Sequence, residues 1–238
     1  LSTLDKHLQQ QADSGAIAPL SNLNSSRVWL LHGTKDSKVG REVSDALASQ
    51  YGQYVPEAQL AYVTDKPFAH VFPTRAYGSA CDVSEAPYLG ACAYDAAGEL
   101  LTHINAKPLN PAAEQATGTL HSFEQRELAG EHGDTLGETA YLYVPKSCAV
   151  GDNCSVHISF HGCNQYADAI GDAYARNSGL NRWADSNNMV VLYPQTQKSL
   201  FMPLNPQGCW DWWGYTDENY ANRNGQQISA VKHMVDQL

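Results

Sequence analysis

The chain has 238 residues, enough for one large domain with a substantial core, and one domain spanning 1–238 is expected. Fifteen Lys and Arg against 25 Asp and Glu give a formal charge of −10, which repels a phosphate backbone and argues against a nucleic-acid partner. No apolar run reaches the roughly 20 residues of a membrane span, and the opening LSTLDKHLQQQADSG has neither a basic nor an apolar leader region, so no membrane partner is expected.

In chain order, residues 27–33 (RVWLLHG) form a short apolar run ended by Gly33, which predicts a buried strand entering a loop. From Val39 to Tyr51, Val43, Ala46, Leu47 and Gln50 fall at helical spacing. Residues 58–64 (AQLAYVT) predict a second strand, followed by a histidine loop, 67–73. A helix over 94–104 and a connecting stretch over 108–118, rich in Pro, Ala and Gln, come next. Residues 138–145 and 154–160 alternate like half-buried strands, and the second ends at His161-Gly162-Cys163. A helix over 175–187, a buried strand over 189–193 and a terminal helix over 225–238, with Ile228, Val231 and Val235 on one face, complete the pattern. Alternating strands and helices predict a mostly parallel central sheet covered by helices on both faces.

The six cysteines, Cys81, Cys92, Cys148, Cys154, Cys163 and Cys209, show neither CxxC pairs nor zinc-type histidine spacing. They read as disulfides formed in an oxidising compartment, the periplasm or the cell exterior. Of fifteen pairings, proximity favours Cys148 with Cys154 and Cys81 with Cys92, which leaves Cys163 for Cys209. No cluster of His, Asp and Glu has metal-ligand spacing, and neither a metal nor another cofactor is expected.

Several residues carry chemistry. Asp36, in the loop after the first strand, suits the acid of a triad, because a carboxylate there accepts an imidazole N–H; it equally suits a turn aspartate capping the helix near Val39. His70, within Phe68-Ala69-His70-Val71-Phe72, suits a general base, or a packed histidine bonded to a backbone carbonyl. Cys163 is either a thiol nucleophile beside His161 or, as favoured by a His-Gly-x turn after a strand, a backbone N–H donor to an oxyanion. Trp210, Trp212 and Trp213 are either a packed cluster or an exposed apolar grip for substrate; in an extended segment Trp212 and Trp213 would face opposite sides.

Serine esterases of the α/β-hydrolase type run oxyanion loop, serine elbow, acid, then histidine. Here the acid and histidine loops lead, and the His-Gly turn follows about 90 residues after His70. That order predicts a circularly permuted chain whose elbow segment lies before residue 1. No G-x-S-x-G occurs, and Gly78-Ser79-Ala80-Cys81 lacks the second glycine of an elbow.

Residues 32–39 (HGTKDSKV), 70–74 (HVFPT), 86–98 (APYLGACAYDAAG), 160–165 (FHGCNQ) and 205–214 (NPQGCWDWWG) resemble, in this order, the extracellular poly(3-hydroxybutyrate) depolymerases of permuted topology. The resemblance implies an α/β-hydrolase fold and a Ser-His-Asp triad using Asp36 and His70, with the serine outside this chain on a complementing segment. It assigns the Cys163 N–H to the oxyanion hole and Trp210, Trp212 and Trp213 to the substrate side. It implies cleavage of polyester or short hydroxyacyl esters by a secreted enzyme. Two alternatives are a secreted acetyl or feruloyl polysaccharide esterase, and a non-catalytic polymer-binding protein on the same fold.

Overall fold

The computed structural model describes residues 2–151 and 153–238. They sort into two compact units, divided between Leu109 and Asn110.

The first unit begins with helix α1 (Ser2–Asp13), then alternates strand β1 (Val28–Leu31), helix α2 (Arg41–Tyr51) and strand β2 (Leu60–Val63). β1 and β2 pair in parallel from Val28 opposite Leu60 to Leu31 opposite Val63. α2 forms where its spacing predicts, but its face is not the predicted one. Val43 and Leu47 are 58% and 43% exposed and Ala46 is exposed, and the half-buried residues are Ser44, Ala48, Tyr51 and, of the predicted set, Gln50. Small side chains face inward there, and the Ser44 hydroxyl stands 3.0 Å from His32 Nδ1. Three short strands follow, β3 (Phe72–Thr74), β4 (Ser79–Ala80) and β5 (Leu89–Ala91), in a parallel sheet ordered β3-β5-β4. The Cys81–Cys92 disulfide closes this region. Helix α3 (Ala96–Ile104) is capped by the Asp95 carboxylate, which accepts the Gly98 N–H at 3.0 Å, and buries Ala96, Ala97 and Leu101.

The second unit is built on strands β6 (Thr119–Glu124), β7 (Thr139–Val144), β8 (Ser155–Ile158) and β9 (Met189–Tyr193), ordered β6-β7-β9-β8. β8 and β9 are parallel; β6 and β7 add antiparallel partners, so this sheet is mixed. β6 escapes the sequence reading because its only half-buried side chains are Leu120 and Phe123, an edge pattern too sparse to register as alternation. The helices are α4 (Gln125–Leu128), α5 (Lys146–Ala149), α6 (Ala167–Ile170), α7 (Ala173–Asn177), α8 (Leu180–Ser186) and α9 (Gln226–Val235). The helix predicted over 175–187 is two helices, α7 and α8, because Gly179 takes φ +94° and ends the run.

The core of this unit gathers Leu136, Leu192, Ala230, Val231 and Met234, with Phe123, Leu142, Ile158 and Trp210 against it. In α9 the predicted face is inward in part: Val231 is buried and Val235 packs against this core, Gln227, Ala230 and Met234 are buried beside them, and Ile228 is 46% exposed. The buried Gln227 amide ties this helix to its surroundings, accepting the Asp211 N–H at 2.8 Å and donating to Thr135 O and the Tyr215 hydroxyl. The remaining disulfides are Cys148–Cys154 and Cys163–Cys209, and among the described residues no cysteine is free. Among those residues no helix is long and apolar enough to cross a membrane.

Leu192 is 1% exposed at the centre of this cluster. Leu192→Ala is expected to lower unfolding free energy by about 3 kcal/mol through lost transfer energy and a residual cavity. Ile228→Ala is expected to change it by no more than about 0.5 kcal/mol. Urea denaturation of the two variants measures both.

Candidate active site

In the first unit, β1 and β2 deliver two loops that are laced together by their backbones. Past β1, the His32 N–H donates to Val63 O, the Thr34 N–H to Lys66 O and the Lys35 N–H to Phe68 O at 2.9, 2.7 and 3.0 Å. This close approach requires glycine at position 33, where a Cβ would stand 2.1 Å from Phe68 O. Asp36 and His70 follow directly from the two laced segments. The Asp36 carboxylate divides its work. Oδ1 accepts the Lys38 and Val39 N–H groups at 2.8 and 3.0 Å, and Oδ2 lies 2.8 Å from His70 Nδ1. The two sequence readings of Asp36 thus describe different oxygens, although α2 itself starts at Arg41 behind Gly40 with no side-chain cap.

Burial alone pushes the Asp36 carboxyl up, but the Val39 N–H, the His70 ring and the Lys38 N–H outweigh it and hold it below the ordinary 3.8. The side chain is 8% exposed, whereas that of His70 is 51% exposed. The His70 backbone is tied on both sides: the Ala69 N–H donates to Cys81 O and the Ser84 hydroxyl to His70 O, both at 2.9 Å. The imidazole therefore meets a carboxylate, not the backbone carbonyl of a packed histidine, and among the described residues no hydrogen bond engages its Nε2. Such an imidazole can take a proton at Nε2 while the carboxylate stabilises the resulting cation. The Ser79 hydroxyl has its single proton within reach of Val83 O at 3.2 Å and Leu89 O at 3.3 Å, and no bond to a histidine is among its described contacts.

In the second unit, β8 leads into the turn 161–165. The Gln165 N–H closes on Gly162 O at 3.1 Å, the Asn164 N–H reaches Gln207 O at 2.7 Å, and the Gly162 N–H meets Gln165 Oε1 at 2.8 Å. Asn164 adopts φ +62° to complete the turn. Among the described residues no acceptor faces the Cys163 N–H, and Cys163 is exposed. Its sulfur is bonded to Cys209, which removes the thiol-nucleophile reading. His161, behind the turn, is 3% exposed, and burial pushes its pKa down to about 4.

The three tryptophans separate. Trp210 packs edge-on against Phe160 at 4.9 Å, lies 5.6 Å from the His161 ring and borders the core. Trp212 and Trp213 are 70% and 41% exposed, yet their rings are neighbours at 5.2 Å rather than on opposite sides. The segment is coiled, not extended, because Asp211 organises it. Its Oδ1 accepts the N–H groups of Trp213, Gly214 and Tyr215, and its Oδ2 accepts the Thr216 N–H and hydroxyl. Burial pushes this carboxyl up, but its bonds to Thr216, Tyr215 and Gly214 prevail and keep it below 3.8. Its contribution is thus complete above pH 3.8 and is lost as pH falls through the depressed value. Sequence reasoning missed Asp211; the available signal was an aspartate three residues before a glycine, an Asx-turn pattern hidden among tryptophans. Among the described residues no three His, Cys, Asp or Glu side chains gather as a metal site.

Residues 139–238 match the family model described as Esterase PHB depolymerase. The chain is 40% identical over 241 residues to a poly(3-hydroxybutyrate) depolymerase of Delftia acidovorans, covering 100% of this chain and 47% of that protein. It is 36% identical over 234 residues to a polyhydroxybutyrate depolymerase of Talaromyces funiculosus, covering 93% of this chain and 68% of that protein. The chain thus spans about half the length of the first relative and about two thirds of the second. The crystal structure of the PHB depolymerase from Penicillium funiculosum superposes with a TM-score of 0.88 at 36% identity, covering 94% of this chain and 73% of that one. A PHB depolymerase with a serine-to-alanine substitution, complexed with an R3HB trimer, matches with the same TM-score of 0.88. With a fold of the α/β-hydrolase type and this degree of identity, the chain belongs to the PHB depolymerase esterase family.

Proposed function

We propose that the protein to which this chain belongs is an extracellular serine esterase that hydrolyses poly(3-hydroxybutyrate) or related short-chain polyhydroxyalkanoates. The observation that carries this reading is the His70–Asp36 pair at 2.8 Å, with Nε2 open on a half-exposed ring. The chain holds no G-x-S-x-G, so the nucleophilic serine comes from a segment outside it. The order Asp36, His70, Cys163 fits a circularly permuted α/β-hydrolase. Three disulfides suit an oxidising, extracellular setting.

In the proposed reaction, His70 Nε2 takes the serine proton as the serine oxygen attacks the ester carbonyl. The carbonyl oxygen becomes an anion received by the Cys163 N–H, and the imidazolium is stabilised by Asp36. Collapse breaks the ester C–O bond, and His70 returns the proton to the departing hydroxyl end of the chain. Water, deprotonated by the same imidazole, then releases the hydroxy acid and restores the serine. Trp212 and Trp213 offer an exposed apolar ledge to a polyester backbone, and Trp210 acts from beneath as packing.

In the intact protein, a fluorophosphonate probe is expected to label one serine, and polymer granules to lose turbidity without acetate or ferulate release from polysaccharide. Asp36→Asn should cost about ten-thousandfold in kcat. Its Oδ1 would still serve the Lys38 and Val39 N–H groups, so the amide would face His70 Nδ1 and force the ring proton onto Nε2. Unchanged granule clearing by His70→Ala would sink the esterase reading. Asp211→Ala is expected to raise KM for soluble oligomers severalfold and to destabilise the fold by about 2 kcal/mol, leaving backbone donors without their acceptor. Steady-state kinetics and tryptophan emission check that outcome.

A further inference from the structure

His161 takes no part in the proton transfers above, yet its two ring nitrogens are held by different groups in a way that fixes their protonation. Nε2 lies 3.1 Å from the Thr196 backbone nitrogen, and a backbone N–H can only donate, so Nε2 must present a lone pair. The Thr196 hydroxyl is 3.3 Å from the same nitrogen but gives its proton to Gly208 O. A neutral imidazole with its lone pair at Nε2 carries its proton on Nδ1, which stands 2.7 Å from Gly162 O and donates to it. Imidazolium would set one N–H against another at Thr196.

The Gly162 carbonyl and the Cys163 N–H belong to one planar peptide group and point in opposite directions. Whatever holds the carbonyl therefore aims the N–H. Gly162 O receives two donors, the Gln165 N–H that closes the turn and His161 Nδ1–H from behind it. Donation to the carbonyl also polarises the peptide and strengthens its N–H as a donor. The constraint closes on itself through the second unit: His161 to Thr196, Thr196 to Gly208, and the neighbouring Cys209 to Cys163 by the disulfide. The Trp210 ring beside His161 helps keep the imidazole dry.

We propose that His161 is a positioning residue: through its Nδ1–H tautomer it fixes the Gly162–Cys163 peptide so that the Cys163 N–H is pre-aimed at the developing oxyanion. This rests on the reading of Cys163 as an oxyanion donor. A donor held in place before reaction needs no reorganisation in the transition state, so the contribution belongs in kcat rather than KM.

Two isosteric halves of the ring test it in the intact protein. His161→Asn puts an amide N–H2 near the Nδ1 position and keeps the bond to Gly162 O. His161→Gln puts an amide oxygen near the Nε2 position and keeps the bond to the Thr196 N–H alone. With soluble hydroxybutyrate oligomers, the Gln variant is expected to lose at least about tenfold in kcat at unchanged KM, and the Asn variant to retain most of kcat. Equal losses in both variants, or a loss confined to KM, would overturn the proposal. In histidine-15N-labelled protein at pH 7, the His161 ring is expected to show a protonated Nδ1 and a bare Nε2; the opposite tautomer or a doubly protonated ring would also overturn it. Absence of hydrolysis by the unsubstituted protein would overturn the esterase reading itself. The ring spectrum separates the two failures, because it reads the tautomer without turnover.

Discussion

A carboxylate taken out of water must recover its lost hydration from fixed donors, and Asp36 recovers it from three: two backbone N–H groups and one imidazole. Those donors are in place only because the loops after β1 and β2 are bonded to one another by three successive backbone hydrogen bonds. The Asp36–His70 distance is therefore a property of the main chain more than of the two side chains. Cys81–Cys92, the Ala69 N–H to Cys81 O bond and the small parallel sheet serve the same end, pinning the histidine loop from its far side.

The second unit solves comparable problems with side chains that act on backbone groups. Asp211 collects the N–H groups of one coiled segment, and Gln227 joins that segment to α9. Asn205, 1% exposed, accepts the Cys209 N–H and donates to Cys209 O and Gln197 O, so the cysteine that bonds Cys163 is held on both faces. Cys163–Cys209 spans 46 residues, and closing such a loop in the unfolded chain corresponds to about 4 kcal/mol in the chain-entropy account. Cys163, itself exposed, is thus tied through its sulfur to a residue held by a buried amide.

Strands β1, β2, β7, β8 and β9 were legible because each is an apolar or alternating run with a clear stop, Gly33 and the His161-Gly162 turn being the sharpest. The histidine and aspartate loops stood out through their order along the chain, and their side chains meet at 2.8 Å. Helix faces were legible only in part. In α9 Val231 and Val235 face the core as their spacing predicts while Ile228 does not, in α2 Val43 and Leu47 stay exposed, and neither Ser44 nor Gln227 carries a signal in a hydrophobicity pattern. The helix range 175–187 took no account of Gly179, whose φ of +94° divides it. Asp211 and His161 act through hydrogen bonds to the main chain, and which backbone group a side chain will meet depends on turns that the local sequence only hints at.

Gly33 bears on how freely this chain can drift. Any Cβ there would press into the Phe68 carbonyl, a backbone atom that cannot swing aside as a long side chain can. A lineage that replaced this glycine would have to re-route both loops in one step, because easing either alone forfeits the bonds that seat the other. Neutral substitution can therefore wander across the exposed face of α2 while this position stays locked, however ordinary a glycine after a strand looks.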